Sequence, residues 1–370
     1  MNEACRFFGV RSLHLVGLTL CGLLAGLTPG FVQASFVDPI DHPAVMVSHV
    51  EQRPLQAVAR AGHTLVAVGA RGVIATSEDE GQSWTQRPSP VQSDLVAVTF
   101  PSPMHGWAVG HDGVVLHSGD GGMTWEKQLD GRLARELFTH YYEKRGAASD
   151  GTSELALASV ERNYAGGPVL PWLDVWFEDT QRGWVVGSFG NLAATIDGGR
   201  TWQPWFEHID NEEMLNLNAV RGNGGDVYIA AERGTLFRLD RAAGRFEKIE
   251  TGYDGSFFGL TAYGSAMLTY GLNGAVYRSD DHGQRWTLLT AASRSTVTGG
   301  AALPDEQGFV LVNAGGELLL GSATGTSLML RKALHSARFT SVLPLNGGRL
   351  LLTSLEGVRS ESLNDAQASR

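Results

Sequence analysis

The chain alternates short apolar runs with polar clusters rich in Gly, Asp, Asn, Ser and Pro. Leu95-Val96-Ala97-Val98, Trp107-Ala108-Val109, Leu173-Asp174-Val175-Trp176 and Trp184-Val185-Val186 are such runs. Short Val/Leu-rich segments between turn-forming residues predict antiparallel strands joined by tight connections. The runs recur in a fixed order. A first strand leads through a polar turn to a second. The second ends at a small glycine turn, a third follows, and a short fourth strand begins at a Trp. The period shifts from two to 3.6 in one region. Leu133, Leu137, Phe138 and Tyr141 fall at i, i+4, i+5 and i+8, and Leu157, Val160 and Tyr164 at i, i+3 and i+7. That spacing predicts two amphipathic helices within residues 130–167. Ser153 is the expected N-cap of the second helix and Gly166 its stop.

The glycine turn counts the units. It reads Gly69-Ala70-Arg71-Gly72, Gly110-His111-Asp112-Gly113, Gly187-Ser188-Phe189-Gly190, Ala231-Glu232-Arg233-Gly234, Gly271-Leu272-Asn273-Gly274, Asn313-Ala314-Gly315-Gly316 and Ser354-Leu355-Glu356-Gly357. The closing glycines are spaced by 41, 77, 44, 40, 42 and 41 residues. A period of about 40–50 residues with four strands per unit is that of a propeller blade. The expected fold is therefore all-β: a seven-bladed β-propeller of four-stranded antiparallel blades, with a helical insert between blades two and three. The 77-residue spacing holds the insert.

Four units also carry the octet S/T-x-D-x-G-x-x-W, through Asp79 and Trp84, Asp120 and Trp125, Asp197 and Trp202, and Asp281 and Trp286. The chemistry fits a tight turn between strands three and four. An Asp carboxylate accepts backbone N–H groups across the turn. Gly tolerates a positive φ. The Trp offers an apolar body with one N–H to satisfy, and burial at a blade junction is expected. The octet resembles the Asp-box of sialidase-like propellers. Four spaced copies point to hairpin braces, since one catalytic or calcium site has no use for four copies of the same turn. Blades four, six and seven keep the glycine turn without the octet.

The longer units Gly106-Trp107-Ala108-Val109-Gly110-x-x-Gly113 and Gly183-Trp184-Val185-Val186-Gly187-x-x-Gly190, each running into an octet, are similar to those of the photosystem II stability/assembly factor family. The resemblance covers nearly the whole chain after its N-terminal segment. It implies an exported seven-bladed propeller that acts without catalysis and binds a newly made membrane subunit. The helical insert and the three octet-free blades depart from the pattern.

Composition narrows the field. Arg6 and Arg11 precede the apolar stretch 13–27, and Val32-Gln33-Ala34 offers a small-residue cleavage site. Residues 1–34 therefore read as a secretory signal peptide, with 35–370 as one exported, periplasmic domain that does not span the membrane after cleavage. An uncleaved anchor and lipidation at Cys21 are the alternatives. Both cysteines, Cys5 and Cys21, fall in that segment, so the exported chain is expected to have neither disulfide nor thiol chemistry. A net charge of −10 argues against nucleic acid as partner. The scattered histidines show no metal spacing, and no cofactor or metal is expected.

Connections within such a blade alternate between two faces. The glycine turns and the links between blades share one face with the insert, and the octets take the other. Function on a rigid scaffold concentrates in loops. The candidate partner-binding residues are accordingly Arg71, His111, Asp112, Tyr141, Tyr142, Trp172, Phe189, Glu232, Arg233 and Asn273, with the acidic link 207–213 beside them. The favoured reading is a monomeric, non-catalytic propeller that binds a protein partner, as an assembly or accessory factor for a membrane protein complex or transporter. The alternative is a glycan-binding protein or a sialidase-like glycoside hydrolase with a non-standard site. The Arg-Ile-Pro signature of sialidases is missing, and adjacent Tyr142 and Glu143 point apart on a helix. Finally, blade seven is short of a fourth strand, and the apolar segment 44–50 is expected to supply it.

Overall fold

The computed structural model describes residues 38–146, 151–167, 169–304, 308–322 and 324–364. The expected signal peptide, its cleavage site and both cysteines lie outside the described residues. Seven antiparallel sheets follow one another in sequence, over residues 55–87, 95–129, 172–204, 217–250, 257–288, 297–332 and 339–362. Six are four-stranded and the seventh has three strands. Each first strand lies against the first strand of the next sheet, and the seventh returns to the first. This is the seven-bladed all-β propeller expected from the repeats.

The second strands are buried along nearly their whole length, and Gly106–Gly110, Gly183–Gly187 and Phe309–Asn313 from end to end. Both faces of a blade pack on neighbouring blades, so these strands are continuous apolar runs rather than alternating ones. Outer strands such as Thr85–Arg87 and Thr287–Leu288 are short and more exposed. Every inner strand breaks register near its start, between Leu55 and Ala57, Leu95 and Ala97, Trp172 and Asp174, Leu217 and Ala219, Phe257 and Gly259, Val297 and Gly299, and Phe339 and Ser341. Each break is a bulge that adds one residue to the inner strand. The seven added residues, Gln56, Val96, Leu173, Asn218, Phe258, Thr298 and Thr340, all line a central cavity of about 160 Å³.

Three of these side chains tie one blade to the next. Asn218 Nδ2 donates to Phe257 O (2.8 Å), Thr298 Oγ1 to Phe339 O (2.7 Å), and Thr340 Oγ1 to Leu55 O (2.8 Å). The last bond spans the seam between blades seven and one. Segment 44–50 does not join blade seven, which corrects the expectation. Its Ala44 N–H donates to Ser89 O (3.0 Å). The Gln86 side chain accepts from Val47 N–H (2.8 Å) and donates to Val45 O (3.0 Å). The cause lies upstream: Ile40 is buried with Val91 of the link between blades one and two and with Val114 and Trp125 of blade two. The chain must then pass the outer strand of blade one before it reaches the seam. There Val50 packs with Leu55, Leu345 and Leu351. Ring closure thus rests on side-chain packing, the Thr340 bond and an ion pair of Arg349 with Glu80 (3.7 Å). Thr340→Val is expected to lower stability by about 1 kcal/mol, the net worth of a typical hydrogen bond. Chemical denaturation checks this, and an unchanged midpoint would show the bond to be idle.

Candidate functional site

The four octets fold alike, and their donors converge on the turn itself. Ser77 Oγ donates to Asp79 Oδ1 (2.8 Å) and accepts from Gly81 N–H (2.8 Å). Asp79 also accepts from the Ser83 amide (2.9 Å) and hydroxyl (2.5 Å). Asp120 and Asp197 repeat this with Thr124 and Thr201, and Asp281 with the Arg285 amide. Trp84, Trp125 and Trp286 each donate Nε1–H to the octet glycine carbonyl (3.0–3.2 Å). Trp125 and Trp202 are buried at blade junctions. Trp84 and Trp286 are half-buried instead.

The Ser83 hydroxyl, the Ser83 amide and Ser77 hold Asp79 down to a pKa of about 2. Asp120 and Asp197 are lowered too, as the hydroxyl and amide of Thr124 or Thr201 outweigh burial. Asp281 is lowered chiefly by the Arg285 amide. A carboxylate with a depressed folded pKa stabilises the fold above its unfolded value and loses that contribution as pH falls through the folded one. The Asp79 octet should therefore hold fully above about pH 4 and lose this contribution as pH falls toward about 2, and the other three should weaken in the same direction. Acid unfolding followed by Trp fluorescence tests this. A midpoint well above pH 4 would contradict it.

The opposite face is built from the glycine turns. Arg71, Asp112, Phe189, Arg233 and Asn273 all stand at φ of 53–59°, a left-handed conformation uncommon for residues other than glycine. The closing glycines are also in the left-handed region and leave no room for a side chain. A Cβ on Gly234 would lie 1.8 Å from Tyr253 O. Polar groups of the next link hold the turns in place. The Arg71 amide donates to Asp94 Oδ1 and the Phe189 amide to Asn216 Oδ1, both at 2.7 Å. Ser93 Oγ donates to Asp112 Oδ2 (2.6 Å). Side chains are thereby pushed outward from a fixed backbone. Arg71, His111, Arg233 and Asn273 are exposed, and Phe189 is 55% exposed. Arg233 pairs with Glu213, and Glu232 is used inside the face, accepting from the Asn216 amide (2.9 Å).

The insert forms helices α1 (Gly131–Gly146) and α2 (Thr152–Tyr164) on this same face. Asp130 caps α1 by accepting from the Arg132 and Leu133 amides (3.0 Å each). Gly151, not Ser153, takes the N-cap position of α2, and Ser153 is buried one step inside. Phe138, Tyr142, Val160 and Tyr164 pack with Trp172 and Phe177 in one core. This corrects two expected binding residues. Tyr142 and Trp172 are 0% and 1% exposed, since they are the surfaces by which the helices and blade three adhere. The Tyr142 hydroxyl donates to Glu207 of the following link and accepts from the Phe206 amide (3.2 Å). Burial, then the Glu207 carboxylate, push that phenol well above its usual range, so it stays protonated. Trp172 Nε1 donates to Gly113 O (3.0 Å). Tyr141 is partly buried, with the Arg145 guanidinium 5.1 Å from its ring centre. Asn163 Nδ2 of α2 donates to Phe189 O (3.1 Å), which ties the insert to the turn of blade three.

Sequence reasoning missed the central cavity. Asp174 Oδ2 accepts from Arg221 Nη1 (2.6 Å) and from the Val220 amide (2.9 Å). Their spacing of 47 residues hides the pair in the sequence. The repeat offers the one available signal, since both stand on inner strands. Among the described residues no three His, Cys, Asp or Glu side chains are grouped to hold a metal, and no helix is long and apolar enough to cross a membrane.

A closed ring of repeated blades, one face braced and the other carrying rigid turns and a helical insert, defines a propeller of the loop-presenting kind. The profile of the family described as photosynthesis system II assembly factor YCF48 matches residues 77–141 and 169–328. The chain belongs to that family. It is 30% identical over 128 residues to the photosystem II assembly lipoprotein Ycf48 of Synechococcus sp. (strain CC9902), covering 34% of this chain and 38% of that one. It is 26% identical over 290 residues to the photosystem II assembly protein Ycf48 of Synechococcus sp. (strain JA-3-3Ab), covering 71% and 81%. Among solved structures, one named "YCF48 bound to D1 peptide" superposes with a TM-score of 0.60 at 16% identity, over 86% of this chain and 97% of that one. The WD40 propeller domain of Doa1 superposes at 0.58 with 12% identity, over 88% and 97%. Likeness at such identity shows the fold.

Proposed function

We propose that this chain is an exported, non-catalytic propeller that captures a protein partner on its insert face, as an assembly or accessory factor for a membrane protein complex or transporter. The observation that carries this reading is the docking of α1 and α2 on the face where Arg71, His111, Phe189, Arg233 and Asn273 project from constrained turns. Asp112 and Glu232 hold their turns to Ser93 and Asn216, and Tyr141 packs against the core of the insert. Family membership agrees: relatives are named assembly proteins and lipoproteins, and one structure in the family is named as bound to a D1 peptide. The Tyr–carboxylate pair most like a hydrolase nucleophile, Tyr142 with Glu207, is sealed between α1 and the following link. The test is capture from native membranes by the tagged, exported protein, with identification of what is retained. Recovery of a membrane complex supports the reading. Release of sugar from glycan substrates, with nothing retained, would overturn it.

A further inference from the structure

Blade seven ends on the strand Gly357–Ser362, which pairs with Arg349–Ser354 on one side. Among the described residues no strand pairs with its other side. The Leu363 amide donates to Gly348 O (2.8 Å). Antiparallel pairing alternates, so Arg359 and Glu361 turn their backbone groups inward, while Val358, Ser360 and Ser362 turn theirs outward. Two guanidinium groups cover two of the three outward carbonyls. Arg359 Nη1 donates to Val358 O, and Arg331 Nη2, from the outer strand Met329–Lys332 of blade six, donates to Ser362 O, both at 2.7 Å. Arg331 also keeps Nη1 buried without an acceptor. Ser360 stands between them, exposed. Met329 and Leu334 flank the edge at 62% and 66% exposure.

An unpaired edge is a template for another strand unless something blunts it. The apolar segment of this chain best suited to cover it, residues 44–50, is held on blade one by Gln86. We propose that the edge is a docking site for an extended, acidic segment of a protein partner, which adds as the fourth strand of blade seven. Its amides take the carbonyls of Val358 and Ser362. Its carboxylates take Arg331 and Arg359, which exchange a neutral acceptor for a charged one and gain from it. Glu361 of the same strand is buried and accepts from the Leu334 and His335 amides, so on a chain of net charge −10 the two guanidinium groups are the charges this edge offers to such a segment. The proposal rests on the reading of the chain as a partner-binding propeller but uses a surface other than the insert face.

The test uses the full exported chain and a labelled synthetic hexapeptide of alternating Thr/Val and Asp/Glu, beside the same peptide with Lys for the acids. The Val358, Ser360 and Ser362 amides should exchange freely in the protein alone and slow with the acidic peptide. Ser360→Pro removes an outward N–H only, a placement proline tolerates on edges. It should weaken the acidic peptide at least tenfold at an unchanged melting temperature. Should that variant misfold, Arg331→Glu with Arg359→Glu decides, by switching preference to the Lys peptide. Slow exchange in the protein alone would mean that residues 365–370 or a second copy already cover the edge, and would overturn the proposal. So would binding indifferent to both variants. A chain that captures its membrane partner but not the peptide sinks this proposal alone. A chain that takes the peptide but retains nothing from membranes sinks the partner reading instead.

Discussion

Replacing residues 130–167 with a short Gly/Ser link is expected to leave the seven blades folded and to abolish partner capture from membranes. The strands on either side, Glu126–Leu129 and Trp172–Phe177, pair within their own blades and not with the helices. Loss of the insert therefore removes no ladder. It does strip Phe138, Tyr142 and Tyr164 from Trp172, so some stability is lost. The anchor of Phe189 through Asn163 is lost with it. Binding energy concentrates in a few well-held aromatic and arginine side chains, and this face offers Phe189, Arg71 and Arg233. Reversing Arg71 together with Arg233 in the intact chain should weaken capture without unfolding, because both are exposed. Strand content by circular dichroism and retention from native membranes are the two readouts. Retention that survives the replacement would move recognition to the octet face or the rim.

Asp174→Ala is expected to cost about 3 kcal/mol, at the lower end of the range for breaking a buried ion pair by removing one partner. The carboxylate is 6% exposed and receives Arg221 Nη1 and the Val220 amide, so two donors from blade four lose their acceptor at once. Arg221 is 35% exposed toward the cavity, and cavity water softens its loss. Arg221→Ala should therefore be the milder change. Reversible urea denaturation of both variants gives the order. The reverse order would show that the arginine, and not the carboxylate, holds the junction.

Much of this architecture is readable from residues alone, and the reason is repetition. Seven glycine turns fix the blade count, and strand alternation then assigns each turn a face, so the shared face of Arg71, Phe189, Arg233 and Asn273 follows without coordinates. The octets are equally plain, because Ser, Asp, Gly and Trp each have one task in the turn. What escaped is chemistry that joins different repeats. Tyr142 reads as a surface residue on an amphipathic helix until Glu207, 65 residues later, is seen to receive its hydroxyl. Trp172 reads as an aromatic anchor until Gly113 is seen to accept its N–H. Segment 44–50 has the apolar character of a closing strand, and composition cannot show that Ile40 has already fixed its path. The bulges escaped as well, since one skipped residue leaves the apolar pattern of an inner strand nearly unchanged.

Those seven bulges uncouple part of the cavity rim from the scaffold beneath it. A residue squeezed out of a ladder owes its identity to neither partner strand, so the four that make no bond to the next blade, Gln56, Val96, Leu173 and Phe258, can differ in size and polarity within one ring. A lineage can thus exchange the chemistry at those four points of the opening one blade at a time, with strand pairing intact.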